Sequence, residues 1–332
     1  ELVDPGSGKV VKSIRLSGKP NGMAIDGNTA YVAEGGPGGV VEVVALDTGT
    51  VKGAFPAGHT PMSPVVRNGK LYVAARFDSK IVEMDASSGK VLNSWPASRE
   101  PVALAVSPDG KKIWAANHLP AGAANGDFTA AALTLVENGK AVHFPLANGT
   151  QGVRGMAVSP DGRYLAVAHV LSRYQMPTTQ LDRGWMNTNA VTIMDTACPD
   201  RPHPVLLDDP DAGAANPWGV LFSPDGSRLL VTHAGTHELS IIDFPALLAR
   251  MKKEDRAGNP VSERLGFLHD IRTRVRLPLN GPRALASDGE NVYVTGYFSD
   301  TLAQVPLKAD AVPRNIPLNA EYRPSRERLG EQ

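Results

Sequence analysis

Apolar residues in this chain come in short bursts, broken at regular intervals by turns bearing Gly, Asp, Asn and Pro. The clearest stretch is Pro217-Trp218-Gly219-Val220-Leu221-Phe222, then Ser223-Pro224-Asp225-Gly226, then Arg228-Leu229-Leu230-Val231-Thr232-His233, closed by Leu239-Ser240-Ile241-Ile242-Asp243. It reads as three strands. Proline presets φ and glycine supplies a positive φ, so the first two runs fold back as a hairpin. Such a hairpin cannot bury both faces alone, and the stretch recurs.

One unit begins at Pro20, turns at Asp26-Gly27-Asn28 and climbs through Tyr31-Val32-Ala33. The next starts at Pro61 and turns at Asn68-Gly69; the third starts at Pro101 and turns at Ser107-Pro108-Asp109-Gly110. A fourth runs from Gly155 through Ser159-Pro160-Asp161-Gly162, the fifth is the opening stretch, and a sixth runs from Pro282 through Ser287-Asp288-Gly289. Pro20, Pro61 and Pro101 lie 41 and 40 residues apart. A period near 40 with several short strands per unit predicts a β-propeller, each unit one blade. The partial unit Leu2–Val11 brings the expected count to seven, with the chain opening partway through a blade. The expectation is therefore all-β: a seven-bladed β-propeller of four-stranded antiparallel blades over residues 1–308. Residues 309–332 then form a final strand and a polar, linker-like tail. Three insertions interrupt the period, at 119–129, 171–188 and 244–270, the last holding a short helix near 245–254.

The units AVSPDGKKIWAAN, AVSPDGRYLAVAH and LFSPDGSRLLVTH, followed by VTIMDT and LSIIDF, resemble the YVTN family of bacterial seven-bladed propellers. That resemblance covers nearly the whole chain and is specific for fold rather than activity. The insertion SRYQMPTTQLDRGWMNTN is similar to one in YVTN-type propellers that precede a cytochrome c or di-haem peroxidase-like domain. It implies a periplasmic or cell-surface protein. It also implies c-type haem in a further C-terminal domain or a partner, with no cofactor in this chain.

Composition narrows the classes. The chain has 332 residues with 34 basic and 34 acidic side chains, which gives no electrostatic case for nucleic acid or an anionic membrane. No apolar run approaches the roughly 18 residues of a membrane span. Cys198 is the single cysteine, so the chain holds no internal disulfide, CxxC metal site or CxxCH haem attachment.

Seven residues after each turn glycine stand Glu34, Arg76, Asn117 (with His118 beside it), His169, His233 and Gly296. These positions end the second strands and are expected to gather on one face. Imidazoles and a carboxylate there make Glu34, His169, His233 and His237 candidate metal ligands; the plainer reading is polar residues ending strands at a solvent edge. The unit starts contribute Arg154, Trp218 and Arg283, where arginines can clamp a carboxylate or a haem propionate, or pair with acids of adjacent blades. The long loop carries Arg173, Tyr174, Gln175, Arg183, Trp185 and Asn187, a polar-aromatic group suited to docking a partner.

No GxSxG elbow, HExxH, P-loop or Rossmann fingerprint is present. Three readings follow: a non-catalytic propeller supporting a redox, haem-bearing partner; a metal-dependent lactonase-like hydrolase; and a cell-surface adhesion or carbohydrate-binding module.

Overall fold

The turn chemistry of the repeat is what sets the strands. In the computed structural model, the Ser223 hydroxyl donates to Asp225 Oδ1 at 2.5 Å and accepts from the Arg228 amide at 2.9 Å. Gly226 sits at φ 71°. Ser107 with Asp109, and Ser159 with Asp161, repeat the pattern. Each serine thus satisfies the first amide of the returning strand and fixes the aspartate that caps the turn. The Asp225 carboxyl is held down to about 2 by the Ser223 hydroxyl, and then by Ser227.

The structure describes residues 1–173, 186–257, 264–308 and 312–318. Each hairpin is extended by two further strands into a four-stranded antiparallel sheet, a blade, whose strands pair in chain order. The first blade is β3 (Pro20–Asp26), β4 (Thr29–Glu34), β5 (Gly39–Ala45) and β6 (Thr50–Gly58). The second is β7 (Pro61–Arg67), β8 (Lys70–Ala75), β9 (Lys80–Asp85) and β10 (Val91–Pro96). The third is β11 (Pro101–Val106), β12 (Lys112–Asn117), β13 (Ala132–Glu137) and β14 (Lys140–Pro145). The fourth is β15 (Thr150–Val158), β16 (Tyr164–Ser172), β17 (Asn187–Asp195) and β18 (His203–Leu206). The fifth is β19 (Pro217–Phe222), β20 (Arg228–His233), β21 (Glu238–Asp243) and β22 (Arg272–Arg276). The sixth is β23 (Pro282–Ser287), β24 (Asn291–Gly296), β25 (Thr301–Pro306) and β26 (Arg314–Pro317).

The blade count corrects the expectation of seven: among the described residues there are six. The partial N-terminal unit forms only β1 (Leu2–Asp4) and β2 (Lys9–Lys12), which pair with each other in a sheet of their own. Its turn is held by the Arg314 guanidinium, which donates to the carbonyls of Pro5, Gly6 and Ser7 at 3.0–3.3 Å. Capture by a side chain replaces the strand-to-strand closure that a shared blade would have required.

Two compact units make up the chain: residues 12–154, and residues 1–11 with 155–332. In the first, Tyr31, Ala33 and Val41 pack on Leu71, Val73 and Met84, and Tyr72, Ala74 and Ile81 pack on Leu104, Ile113 and Ala115. In the second, Ala166, Val191 and Ile193 meet Phe222, Leu229 and Val231, and Leu230 and Leu239 meet Val292, Val294 and Ala303. Within each unit, apolar sheet faces are thus buried on one another.

The insertion after β21 begins as α1 (Phe244–Ala257), longer than the sequence suggested. Asp243 caps it by accepting from the Ala246 amide, and Phe244, Leu247 and Met251 bury one stripe. The long loop is narrower than its reading, because Leu171 and Ser172 still pair with Thr188 and Asn187 as extensions of β16 and β17.

Candidate functional site

The strand-ending histidines face inward, not outward. His169 is fully buried; its Nε2 lies 2.7 Å from the Thr192 hydroxyl and its Nδ1 3.2 Å from the Val170 carbonyl. A carbonyl only accepts, so Nδ1 carries the proton and Nε2 accepts from threonine. His233 repeats the arrangement, with the Ala214 carbonyl at 3.1 Å and the Ser240 hydroxyl at 2.7 Å. Asn117 donates to Thr134 Oγ1 at 3.1 Å from the equivalent position. These residues staple the second strand of a blade to its third. Burial holds His169 neutral down to about 4 and His233 down to about 3, the latter helped by Arg272 and Arg274.

A metal-binding imidazole must offer a lone pair, and both lone pairs are taken by hydroxyls. His237 Nδ1 accepts from the Gly281 amide at 3.1 Å. Glu34 belongs to the other unit. Among the described residues, no three His, Cys, Asp or Glu side chains converge on a metal position. His169 and His233, read from the sequence as candidate metal ligands, are instead intrablade ties, and His237 ties the turn after β20 to the segment before β23.

Two groups remain after the staples are removed. In the unit of residues 12–154, Arg76 forms an ion pair with Glu100 at 2.8 Å. His118 Nδ1 donates to the Val153 carbonyl at 2.8 Å. Its basicity is lowered chiefly by burial, then by the positive charges of Arg154 and Arg76, against the Val153 carbonyl and Glu100. The sequence named Arg76, His118 and Arg154 separately, on different strands; the fold brings them into one electrostatic neighbourhood. Arg76 stands one residue past β8, because the second blade turns on Asn68-Gly69 with its strand starting one residue sooner than in the other blades.

The other unit holds the more distinctive group. Its innermost strands begin with a proline and a bulge, at Pro217/Val220 and Pro282/Leu285, which re-aims Trp218 and Arg283. Gly155 and Gly219 let these strands approach: a Cβ at Gly155 would stand 2.1 Å from the Trp218 carbonyl oxygen, and one at Gly219 2.1 Å from that of Arg283. The Arg283 guanidinium carbon then lies 3.4 Å from the Tyr297 ring centroid, 4.1 Å from Trp218 and 5.6 Å from Phe298. Three aromatic faces surround one cation, with Tyr297 about half exposed. The sequence flagged Trp218 and Arg283 but missed Tyr297 and Phe298. The signal was present, since these two follow Gly296, the same strand-ending position that drew attention to the histidines.

Arg173 and Asn187 stand at the base of the long loop: the Arg173 amide donates to the Met186 carbonyl, and Ser172 to Asn187 Oδ1. Tyr174, Gln175, Arg183 and Trp185 lie outside the described residues.

No protein-family model matches the chain. Over 225 residues it is 26% identical to hydrazine synthase subunit beta of Kuenenia stuttgartiensis, a match spanning 67% of this chain and 57% of that protein. The solved Kuenenia stuttgartiensis hydrazine synthase contains a chain of the same fold, with a TM-score of 0.82 and 23% identity over 93% of this chain and 89% of that one. Two other solved structures are more distant. The Cps50 (Swd1) β-propeller domain of Myceliophteria thermophila gives a TM-score of 0.63 at 13% identity, covering 92% of this chain and 88% of that one. Streptogramin B lyase gives 0.64 at 14%, covering 91% and 84%. These likenesses establish a β-propeller.

Proposed function

We propose that this chain is an extracytoplasmic β-propeller scaffold that holds a redox partner carrying c-type haem, without catalysing a reaction of its own. The observation that carries this reading is the similarity to a subunit of hydrazine synthase, in both sequence and fold. A subunit named beta works within an assembly. Hydrazine nitrogen lies between ammonia and dinitrogen in oxidation state, so making it moves electrons, and a partner able to carry them follows. The resemblance of the SPDG repeats and of the long loop to YVTN-type propellers that precede cytochrome domains points the same way.

The docking surface is centred on Trp218, Arg283, Tyr297 and Phe298. A guanidinium stacked on aromatic rings still presents an in-plane fork matched to a carboxylate, which a haem propionate or an acidic side chain supplies. The aromatic rings add contact area already ordered in the free protein. The loop between Arg173 and Asn187 provides a second contact.

The test is to tag the chain in its native host, isolate it under mild conditions and stain the co-isolated polypeptides for covalent haem. A haem-bearing polypeptide in stoichiometric amount supports the scaffold. A chain that elutes alone, or only with haem-free polypeptides, contradicts it.

A further inference from the structure

The staple that ties second to third strand is replaced in the first blade by two acids. Val32, Ala115, Val167 and Val231 face Glu42, Thr134, Thr192 and Ser240 respectively. Two residues further along the second strand stand Glu34, Asn117, His169 and His233, each on the same sheet face as the third-strand residue of its blade. In three blades this diagonal pair is a donor meeting an acceptor, at 3.1, 2.7 and 2.7 Å. In the first blade both members are carboxyl groups.

Glu34 is 3% exposed and Glu42 4%. Ser17 touches both: its hydroxyl donates to Glu34 Oε2 at 2.7 Å, and its amide to Glu42 Oε1 at 3.3 Å. The remaining oxygens, Glu34 Oε1 and Glu42 Oε2, are buried with no hydrogen-bond partner. A buried carboxylate with one oxygen unpartnered is costly, and both members of this diagonal pair are of that kind. The buried Glu83 in the next blade is treated differently: the Lys70 ammonium lies 2.5 Å away, and Asn93 donates at 2.8 Å. A Cβ at Gly18 would come within 2.9 Å of Glu34 Oε2, so that glycine keeps the space beside the pair open. Ser17 itself is exposed, which leaves a short route from solvent.

We propose that Glu34 and Glu42 bind a divalent cation of the calcium type, which takes the place of the donor–acceptor staple found in three of the other blades. Every available donor is oxygen, which selects a hard cation over zinc or copper. Two carboxylates match a double charge, and the orphaned oxygens become ligands. Water entering past Ser17 completes the coordination. With only two acidic ligands the affinity belongs at the weak end of calcium sites, with Kd about 10⁻⁴ M or above.

The experiment is calorimetric titration of chelator-treated protein with calcium chloride, beside magnesium and zinc chlorides, with thermal unfolding followed over the same concentrations. Calcium is expected to bind at one site and to raise Tm by roughly 5 °C at a hundredfold excess over Kd. Glu42→Gln and Glu34→Gln should each abolish that heat and that rise. Each should also have a cation-free Tm equal to or above wild type, because an amide beside a carboxylate restores the donor–acceptor pair that Asn117 and Thr134 make. Wild-type protein that shows no calcium heat and a flat Tm would overturn the proposal. So would a zinc response with calcium silent, or a calcium response retained in Glu42→Gln.

Discussion

The guanidinium carbon of Arg283 lies 3.4 Å from the centroid of the Tyr297 ring, closer than to any other ring around it. The two residues come from β23 and from the loop after β24. Gly281 helps hold them in place: its carbonyl accepts from the Tyr297 amide, and its own amide donates to His237. An arginine held this way has given up its rotamer freedom on folding, so little of that cost remains when a partner arrives.

The first prediction concerns this cage. Tyr297→Ala and Trp218→Ala are expected to weaken binding of the haem partner by about tenfold or more while moving Tm by only a few degrees. Arg283→Lys should behave like the alanine variants, because a lysine ammonium lacks the flat fork that stacks and bridges at once. Unchanged affinity in all three would remove this surface from the docking site.

Stability should depend on pH through the buried histidines. His169 and His233 stay neutral down to about 4 and about 3, whereas the unfolded chain takes up protons near the ordinary value of 6.5. Both folded values are depressed, so their contribution is full above pH 6.5 and is lost as pH falls toward 4. Between pH 6.5 and 5 the two together should cost about 3 kcal/mol, read from urea unfolding. A variant carrying His169→Gln and His233→Gln should start less stable and show a flatter profile. A flat wild-type profile over that range would show that the rings are solvated.

The repeated turn makes a separate prediction. Ser223 is buried and serves both Asp225 and the Arg228 amide, so Ser223→Ala should cost about 1–2 kcal/mol. Asp225, depressed to about 2, stabilises above its ordinary value near 4, and that contribution is lost as pH falls from 4 to 2. In Asp225→Asn this acid limb should be weakened, measured by circular dichroism from pH 5 to 2.

The close approach of the inner strands is equally exposed to test. Gly219→Ala places a carbon 2.1 Å from the Arg283 carbonyl oxygen, a contact no side chain can relieve. The expected loss is about 2–4 kcal/mol in thermal unfolding, together with weaker partner binding as Arg283 is displaced. A neutral Gly219→Ala would mean that the strands are spaced more widely.

The repeat and its strands were legible in the sequence because a period near 40 and the Ser-Pro-Asp-Gly turn are local signals. The blade count was not, because Leu2–Val11 carries the strand pattern of a blade yet forms only a two-stranded sheet. The histidines misled for a physical reason: a residue ending a strand at a solvent edge and one turned inward to a hydroxyl read alike. Thr192 and Ser240 reveal the second case only once strand register is known. Glu34 was singled out, but its companion Glu42, within Val41-Glu42-Val43, reads as ordinary alternation. Arg283 and Trp218 lie 65 residues apart in the chain, and only the fold shows them stacked with Tyr297.

Binding of a haem-bearing partner by the propeller can be followed by sedimentation velocity at the haem absorption, where only the partner is seen. Adding the purified chain to the co-isolated cytochrome should move the whole haem boundary to a larger sedimentation coefficient, saturating at a fixed ratio, and Tyr297→Ala should require at least tenfold more protein. A haem boundary that stays in place at saturating wild-type chain would mean that the propeller does not hold the cytochrome.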